Sequence, residues 1–311
     1  MQPVILVTGA SGGVQGATGN RLTKMLLENG IAVRAFVHCD DERSNQLRGL
    51  GAEVSVGDLL DIKTVRRAMK GIESVFFAYQ VRPGLLDATA IMAHAAREAK
   101  TKFILNLSQG GASDENPSPT SRRHWLSEKI FDWSGTPAFH LRGGVFFENL
   151  FRQFAKGIHE NSELRAPFAS GDGMVPAVAA HDISRIAFFA MRDPGRFAGK
   201  TIPVFGAVLS LNQIASLLSG IIGKRLRYRE ISPEEWIEEA KVREGNQNPD
   251  QIDHLVNLWR GLLVANQNPS MAAIIAEASV MFQKLTGEIP TSLEGWLKSE
   301  SGQRVIFGRG Q

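Results

Sequence analysis

Apolar and polar positions along the first half of the chain alternate between two periods. Residues 4–8, 32–38, 53–56, 74–79, 102–108 and 138–141 are short runs rich in β-branched and aromatic side chains, which predict strands. Between them, residues 19–29, 42–50, 62–70, 85–99 and 121–134 have the pattern of helices. Strands separated by helices of this length predict right-handed βαβ units and a parallel sheet covered on both faces. The run Ser74-Val75-Phe76-Phe77-Ala78 has no polar alternation, as a central strand buried on both sides requires.

The second half changes character. Residues 181–192 and 211–222 read as helices, with a strand at 201–205 between them. Ser232-Pro233-Glu234-Glu235 is a capping box with proline at the first helical position, and Asn248-Pro249-Asp250-Gln251 repeats that logic. In the helix opened there, Ile252, Leu255, Val256, Trp259, Leu262 and Leu263 form one apolar face, so this helix packs onto something. The expected fold is α/β, a Rossmann doubly wound parallel sheet with a smaller, mostly helical C-terminal lobe. Residues 1–155 are expected to form the sheet domain, with 180–206 returning to it. Residues 207–311 plus 156–179 are expected to form the lobe.

Composition narrows the partners. With 43% hydrophobic and 22% charged residues, the chain is an ordinary globular one rather than a disordered or disulfide-framed one. Lys and Arg number 35 against 32 Asp and Glu, and the net +3 is spread without a dense basic block, so no direct nucleic-acid contact is expected. No apolar run approaches the roughly 20 residues that span a bilayer, so no membrane is expected either. One cysteine, Cys39, permits no internal disulfide and fits a reducing compartment. The chain opens on the strand-like Val4-Ile5-Leu6-Val7-Thr8 rather than on a signal segment, and a cytoplasmic location is the expectation. His94, His140, His159, His181 and His254 show no ligand spacing, so no metal is expected.

After the first strand comes Gly9-Ala10-Ser11-Gly12-Gly13-Val14-Gln15-Gly16-Ala17-Thr18-Gly19, then a helix. Small residues in this position let the backbone turn tightly and approach a pyrophosphate, whose charge the helix N-terminus stabilises. Gly9, Ser11, Gly12, Gln15, Gly16 and Gly19 are the candidates for cofactor contact. Two registers fit: Gly9-x-x-Gly12 follows the strand directly, whereas Gly13-x-x-Gly16-x-x-Gly19 gives the usual distance to the helix end. The stretch also satisfies G-x-S-x-G, the nucleophile elbow of serine hydrolases. An elbow normally follows several strands, and only one precedes Ser11.

The second strand ends at His38-Cys39-Asp40-Asp41. An acid there accepts from the ribose 2′-hydroxyl of NAD, and an arginine accommodates the 2′-phosphate of NADP. His38 can do either according to its protonation, Arg34 and Arg43 are near, and Asp40 and Asp41 can equally favour the start of the next helix. Asp58 and Leu59 after the third strand fall beside the adenine in such folds, and Ala78 at the end of the fourth strand joins them.

These residues resemble the NmrA-like, atypical short-chain dehydrogenase/reductase proteins. The resemblance rests on Val7-Thr8-Gly9-Ala10-Ser11-Gly12, Val33-Arg34-Ala35-Phe36-Val37-His38, Gly51-Ala52-Glu53-Val54 with Gly57-Asp58, and His124-x-x-x-Glu128-Lys129. It continues through Ser134-Gly135, Leu141-Arg142, Phe146-Phe147-Glu148-Asn149-Leu150, Asp182-Ile183 and Thr286-Gly287-Glu288-Ile289-Pro290-Thr291. It implies NAD(P) binding, with NADP(H) favoured over NAD(H) because His38-Cys39 stands where many relatives carry arginine. It also makes the smaller lobe the substrate-binding one. Members include NADPH-dependent quinone, azo-dye and phenylpropanoid reductases, and non-enzymatic redox sensors such as the fungal nitrogen regulator.

The resemblance also implies catalytic positions. Ordinary short-chain dehydrogenases use a Tyr-x-x-x-Lys pair and a serine. Aligning through Glu128 and Gly135 puts Thr120 at the tyrosine position and His124 at the lysine position, while Ser108 fits the serine. The chain has two tyrosines and no Tyr-x-x-x-Lys. His124 is then the proton-donor candidate, an imidazole having an ordinary pKa of about 6.5. Tyr79, at the carboxyl end of the fourth strand, can stack near the cofactor or donate a hydrogen bond. Phe146, Phe147 and Asn149 can line an apolar substrate pocket. Two functions follow. One is an NAD(P)H-dependent reductase passing hydride to a small conjugated acceptor such as a quinone or enone. The other is a non-catalytic NAD(P)-binding redox sensor acting through a protein partner. Homodimer formation is left open.

Overall fold

The structure is a computed structural model that describes residues 4–13, 16–168, 171–244 and 249–307. The first half runs β1 (Val4–Thr8), α1 (Thr18–Glu28), β2 (Ala32–Val37), α2 (Glu42–Gly49), β3 (Glu53–Val56), α3 (Ile62–Met69), β4 (Ile72–Phe77), α4 (Leu85–Glu98), β5 (Phe103–Gln109), α5 (Pro119–Trp133) and β6 (Ala138–Gly143). Then come β7 (Val145–Phe146), α6 (Phe147–Asn161), β8 (Glu163–Ala166), β9 (Met174–Val178), α7 (Ala180–Arg192), α8 (Pro194–Phe197), β10 (Lys200–Val204) and β11 (Ala207–Ser210). The chain ends with α9 (Leu211–Ile222), β12 (Arg227–Glu230), α10 (Pro233–Glu244), α11 (Pro249–Gln267), α12 (Pro269–Thr286), α13 (Leu293–Lys298) and α14 (Glu300–Phe307).

A seven-stranded sheet has the order β10-β6-β5-β4-β1-β2-β3, and the pairings from β6 across to β3 are parallel. This is the expected doubly wound α/β fold. The unbroken apolar run of the sequence is β4, in the middle of the sheet, where Val75, Phe76 and Phe77 are fully buried. Around it Leu6, Val65, Met92, Ile104 and Phe131 form one core, with the Phe77 and Phe131 rings edge to face at 5.2 Å. Strand order reverses between β1 and β4, so the chain leaves these neighbours toward opposite sides.

The chain divides into two compact units. The first comprises residues 1–114, 121–143 and 180–203, and the second 115–120, 144–179 and 204–311. Residues 180–203 return to the sheet unit, where α7 lies against α1 and the buried Ser184 hydroxyl donates to the Thr18 carbonyl at 3.1 Å. Residues 144–155 group with the second unit, because α6 buries Phe147, Phe151 and Phe154 in that unit's core.

The second core gathers Trp236, Trp259 and Trp296 around these phenylalanines. The expected face of α11 is there: Leu255, Val256, Trp259 and Leu262 are buried, and Ile252 and Leu263 pack partly against them. Ser232 caps α10, its hydroxyl accepting from the Glu235 amide at 3.0 Å. Asn248 lies outside the described residues. Besides helices this unit holds two small sheets, β11-β9-β7 and β12-β8, which the hydrophobic pattern does not announce. Their strands run two to five residues, and β12 is Arg-Tyr-Arg-Glu, so no two-residue period can establish itself.

One packing contact of the second unit is sensitive to protons. Ser118 Oγ and His254 Nδ1 on α11 lie 3.3 Å apart, and burial pushes the His254 pKa down to about 4 from its ordinary 6.5. The unfolded imidazole takes up a proton below 6.5, while the native one resists until about 4. Stability present above the upper value is therefore lost progressively as pH falls through that window, by at most about 3 kcal/mol. Urea midpoints measured from pH 7 to pH 4 should fall, and His254→Gln should flatten the curve in that interval.

Candidate functional site

At the carboxyl end of β1 the buried Thr8 hydroxyl donates to the Ala78 carbonyl at 2.9 Å and accepts from the Ala78 amide at 2.8 Å. The ends of the two strands at the order reversal are thus tied together, and in open α/β sheets this is where ligands bind. The glycine loop begins there. The Gly12 amide donates to the Gly9 carbonyl at 3.1 Å, closing a tight turn, and Asn20 Nδ2 donates to the Ala10 carbonyl at 2.8 Å. Gly9, Gly12 and Gly16 have φ of +67°, +78° and +94°, a region that side chains disfavour.

Gly19 is required for a different reason. A Cβ there would lie 2.4 Å from the Thr8 carbonyl oxygen, so α1 can rest on the end of β1 only with glycine at this position. Ala17, the residue before α1, adopts the left-handed conformation at φ 51° and supplies no side-chain cap to the helix. A non-glycine residue held this way stores about 1–3 kcal/mol of strain, a feature concentrated at ligand-binding turns. Gln15 lies outside the described residues. Ser11 is half-buried in the turn.

His38 and Cys39 are exposed at the end of β2. The two acids that follow are occupied with α2. Asp41 caps it, accepting from the Arg43 and Ser44 amides at 3.0 and 3.3 Å and from Arg43 Nε at 2.9 Å. Asp40 accepts from Ser44 Oγ at 2.9 Å and pairs with Arg48 at 2.7 Å. Arg48 and Arg43 hold the Asp40 and Asp41 carboxyls below their ordinary range. Arg34 points elsewhere: it donates to the Ala68 and Lys70 carbonyls and pairs with Glu53. Asp58 accepts from the Leu60 amide at 2.9 Å, shaping the turn after β3, and Leu59 packs partly against the sheet core.

Tyr79 follows Ala78. Its hydroxyl donates to the Pro83 carbonyl at 2.8 Å and the Arg82 guanidinium lies over its ring at 5.1 Å, so the ring braces the turn into α4. Ser108, near the end of β5, is buried and donates to Glu128 Oε1 on α5 at 2.6 Å. Arg142 on β6 reaches the same carboxylate through Nε at 2.8 Å and Nη2 at 2.5 Å. His124 is buried one helical turn before Glu128. In the second unit Phe147 is core, 1% exposed and 5.5 Å from the Trp296 ring. Phe146 and Asn149 beside it are half-buried, and Asn149 Oδ1 is buried without a hydrogen-bond partner.

The structure therefore brings Gly9, Ser11, Gly12, Gly16, Ala78, Tyr79 and Ser108 to one edge of the sheet. It sets Phe146, Phe147 and Asn149 at the start of one helix of the other unit. Sequence reasoning passed over Thr8, whose signal was a polar residue closing an apolar strand. It also passed over Gln109, the last residue of β5, whose Nε2 is buried without a partner. Among the described residues no group of His, Cys, Asp or Glu can hold a metal ion, and no helix is long and apolar enough to cross a membrane.

Residues 1–294 match the model of the NmrA-like family. Over 236 residues the chain is 30% identical to an NAD(P)H azoreductase of Xenophilus azovorans, covering 75% of this chain and 78% of that protein. Among solved structures it is similar to an NADPH-dependent quinone oxidoreductase of Escherichia coli complexed with NADPH. That match has 23% identity, covers 94% of this chain and 97% of the other, and has a TM-score of 0.76. It is also similar to NmrA, a negative transcriptional regulator, in complex with NAD. There the identity is 17%, the coverage 98% and 95%, and the TM-score 0.77. At these identities the two structures speak for the fold.

The Glu128 cluster has a direct consequence. Its carboxylate is 1% exposed and Arg142 23%, so removing the arginine strands a buried charge. Arg142→Met should cost about 3–5 kcal/mol in urea unfolding. The double variant Glu128→Gln/Arg142→Met should recover part of that loss, because the stranded charge goes with its partner.

Proposed function

The chain belongs to the NmrA-like family, and from that membership we propose an NAD(P)H-dependent reductase that passes hydride to a small conjugated acceptor such as a quinone or enone. The observation that carries this reading is the loop from Gly9 to Gly19 at the strand-order reversal. Left-handed glycines keep side chains away from a diphosphate's approach to the backbone, and an N-terminus without a side-chain cap favours its charge. A nicotinamide dinucleotide fits that cradle, and when bound it supplies the hydride. The similarity to an NAD(P)H azoreductase supports the same reaction class.

The chain's own groups then have these roles. The backbone of residues 9–19 binds the diphosphate, Asp58 and Leu59 flank the adenine, and Ala78 and Tyr79 wall the crevice. His124 donates the proton to the reduced oxygen, and Gln109 offers a further amide donor. Ser108 serves by fixing Glu128 rather than by donating to substrate, since its own proton is directed at that carboxylate.

The commitment of Ser108 also favours a second reading, a sensor that binds NAD(P) without turnover and acts on a protein partner. Calorimetric titration with NADPH, NADP⁺, NADH and NAD⁺, followed by quinone and enone assays at the nicotinamide absorbance, separates the two. The reductase consumes reduced cofactor, and His124→Ala lowers kcat about tenfold with nucleotide affinity kept, less than a full general-acid contribution because the product oxygen can also take its proton from water. Binding of oxidised forms alone, with no acceptor consumed, selects the sensor.

NADP(H) is the cofactor we favour. Arg43 stands just after the exposed end of β2, and since its own side chain is exposed a 2′-phosphate can draw it from Asp41. Arg43→Ala should weaken NADPH binding about tenfold or more and leave NADH within about twofold. Equal losses for both would assign the arginine to α2 alone.

A further inference from the structure

The turn that follows β4 meets the glycine loop through one side chain. Gln80 Nε2 lies 3.6 Å from the point that a Cβ on Gly13 would occupy. Gly13 has no side chain, so nothing of its own stands between that amide and the loop backbone. The contact follows from the length of the loop. The stretch from Gly9 to Gly19 is longer than a G-x-G-x-x-G fingerprint requires. Its first turn closes where the Gly12 amide bonds the Gly9 carbonyl, and the length beyond carries Gly13 to the end of the neighbouring strand.

The turn itself is held. Thr8 bonds both backbone groups of Ala78, two residues before Gln80. Tyr79 folds back on the turn, its hydroxyl on the Pro83 carbonyl and its ring under the Arg82 guanidinium. Glycine at position 84 makes room for this, since a Cβ there would lie 2.8 Å from the Tyr79 hydroxyl oxygen. With Tyr79 committed to the turn, Gln80 is the side chain that reaches the loop, and it is exposed. Its amide can present Nε2 to a ligand while Oε1 stays in water.

We infer that Gln80 donates through Nε2 to a phosphate oxygen of the bound dinucleotide, which makes the turn after β4 a second wall of the diphosphate site. Its contact falls on the glycine loop rather than on residues 38–39 or 58–59, so the diphosphate is within its reach rather than the adenosine. The uncapped N-terminus of α1 stabilises the phosphate charge, and Gln80 adds direction without charge. The inference rests on the nucleotide reading of the glycine loop, which the reductase and the sensor share.

Calorimetric titration of the full chain and its Gln80 variants with NADPH and ADP, beside ligand-observed NMR titration with adenosine, tests it. Gln80→Ala should weaken NADPH and ADP about 5- to 10-fold, the yield of one hydrogen bond, and leave adenosine within about twofold. Gln80→Glu keeps the shape and turns a negative charge toward the phosphates. It should weaken ADP about tenfold beyond the alanine variant, and less so at high salt. Adenosine, which has no phosphate, should not register that charge. If the intact chain binds NADPH and Gln80→Ala leaves ADP affinity unchanged, the role of Gln80 falls and the nucleotide reading stands. Equal losses for adenosine and ADP also overturn the role, because Gln80 then acts on the adenosine end or on the fold. An intact chain that binds neither NADPH nor ADP overturns the inference and the nucleotide reading together.

Discussion

The two middle strands β1 and β4 carry their chain toward opposite sides of the sheet, and Thr8 bonds their ends to each other through both backbone groups of Ala78. A parallel sheet needs a long crossover after every strand, and crossovers that diverge leave an opening at the point of divergence. What occupies that opening is set by how closely the first helix can approach. With a methyl at position 19 the helix would collide with the Thr8 carbonyl. With glycine it settles on the strand end, and the preceding residues must take left-handed turns to reach it. The strained Ala17 and the positive φ angles at Gly9, Gly12 and Gly16 follow from that one close approach.

Polar contacts hold α5 in place over the same edge. Besides Glu128 with Ser108 and Arg142, the buried His140 ring lies 3.0 Å from Asp132 and 3.3 Å from Asn106, and Thr89 meets Ser127 across α4 and α5 at 2.9 Å. Greasy packing tolerates a slide of a helix along a sheet. A buried carboxylate gripped bidentately tolerates none, because any displacement leaves a desolvated charge unmatched. His124, four residues before Glu128 on the same helix, has its height above the sheet set by this grip.

How far the sequence spoke follows from which forces dominate locally. The apolar run of β4 could be placed at the sheet centre because burial on both faces leaves no alternation. The apolar face of α11 was equally plain. Asp40 and Asp41 were ambiguous on the page, since an acid after β2 suits both a ribose and a helix start, and the geometry gives them to α2. Ser108 read as a catalytic serine because its position in the strand is right, but its partner Glu128 lies on a helix twenty residues away, and spacing says nothing about that meeting. Phe147 shows the same limit: an aromatic pair after β6 has one ring in the core and one half-buried, and only three-dimensional packing distinguishes them.

The absence of a Tyr-x-x-x-Lys pair bears unequally on the reactions proposed. Reduction of a simple ketone puts full alkoxide character on one oxygen, which demands an acid beside it in the transition state. In a quinone or enone the incoming charge is delocalised over a conjugated system, and the product oxygen can take its proton from water afterwards. Most of the barrier then falls to positioning, which a tied strand end and a fixed α5 supply. On the proposed reading, an architecture that commits its polar groups to rigidity suits an acceptor that asks little of acid catalysis.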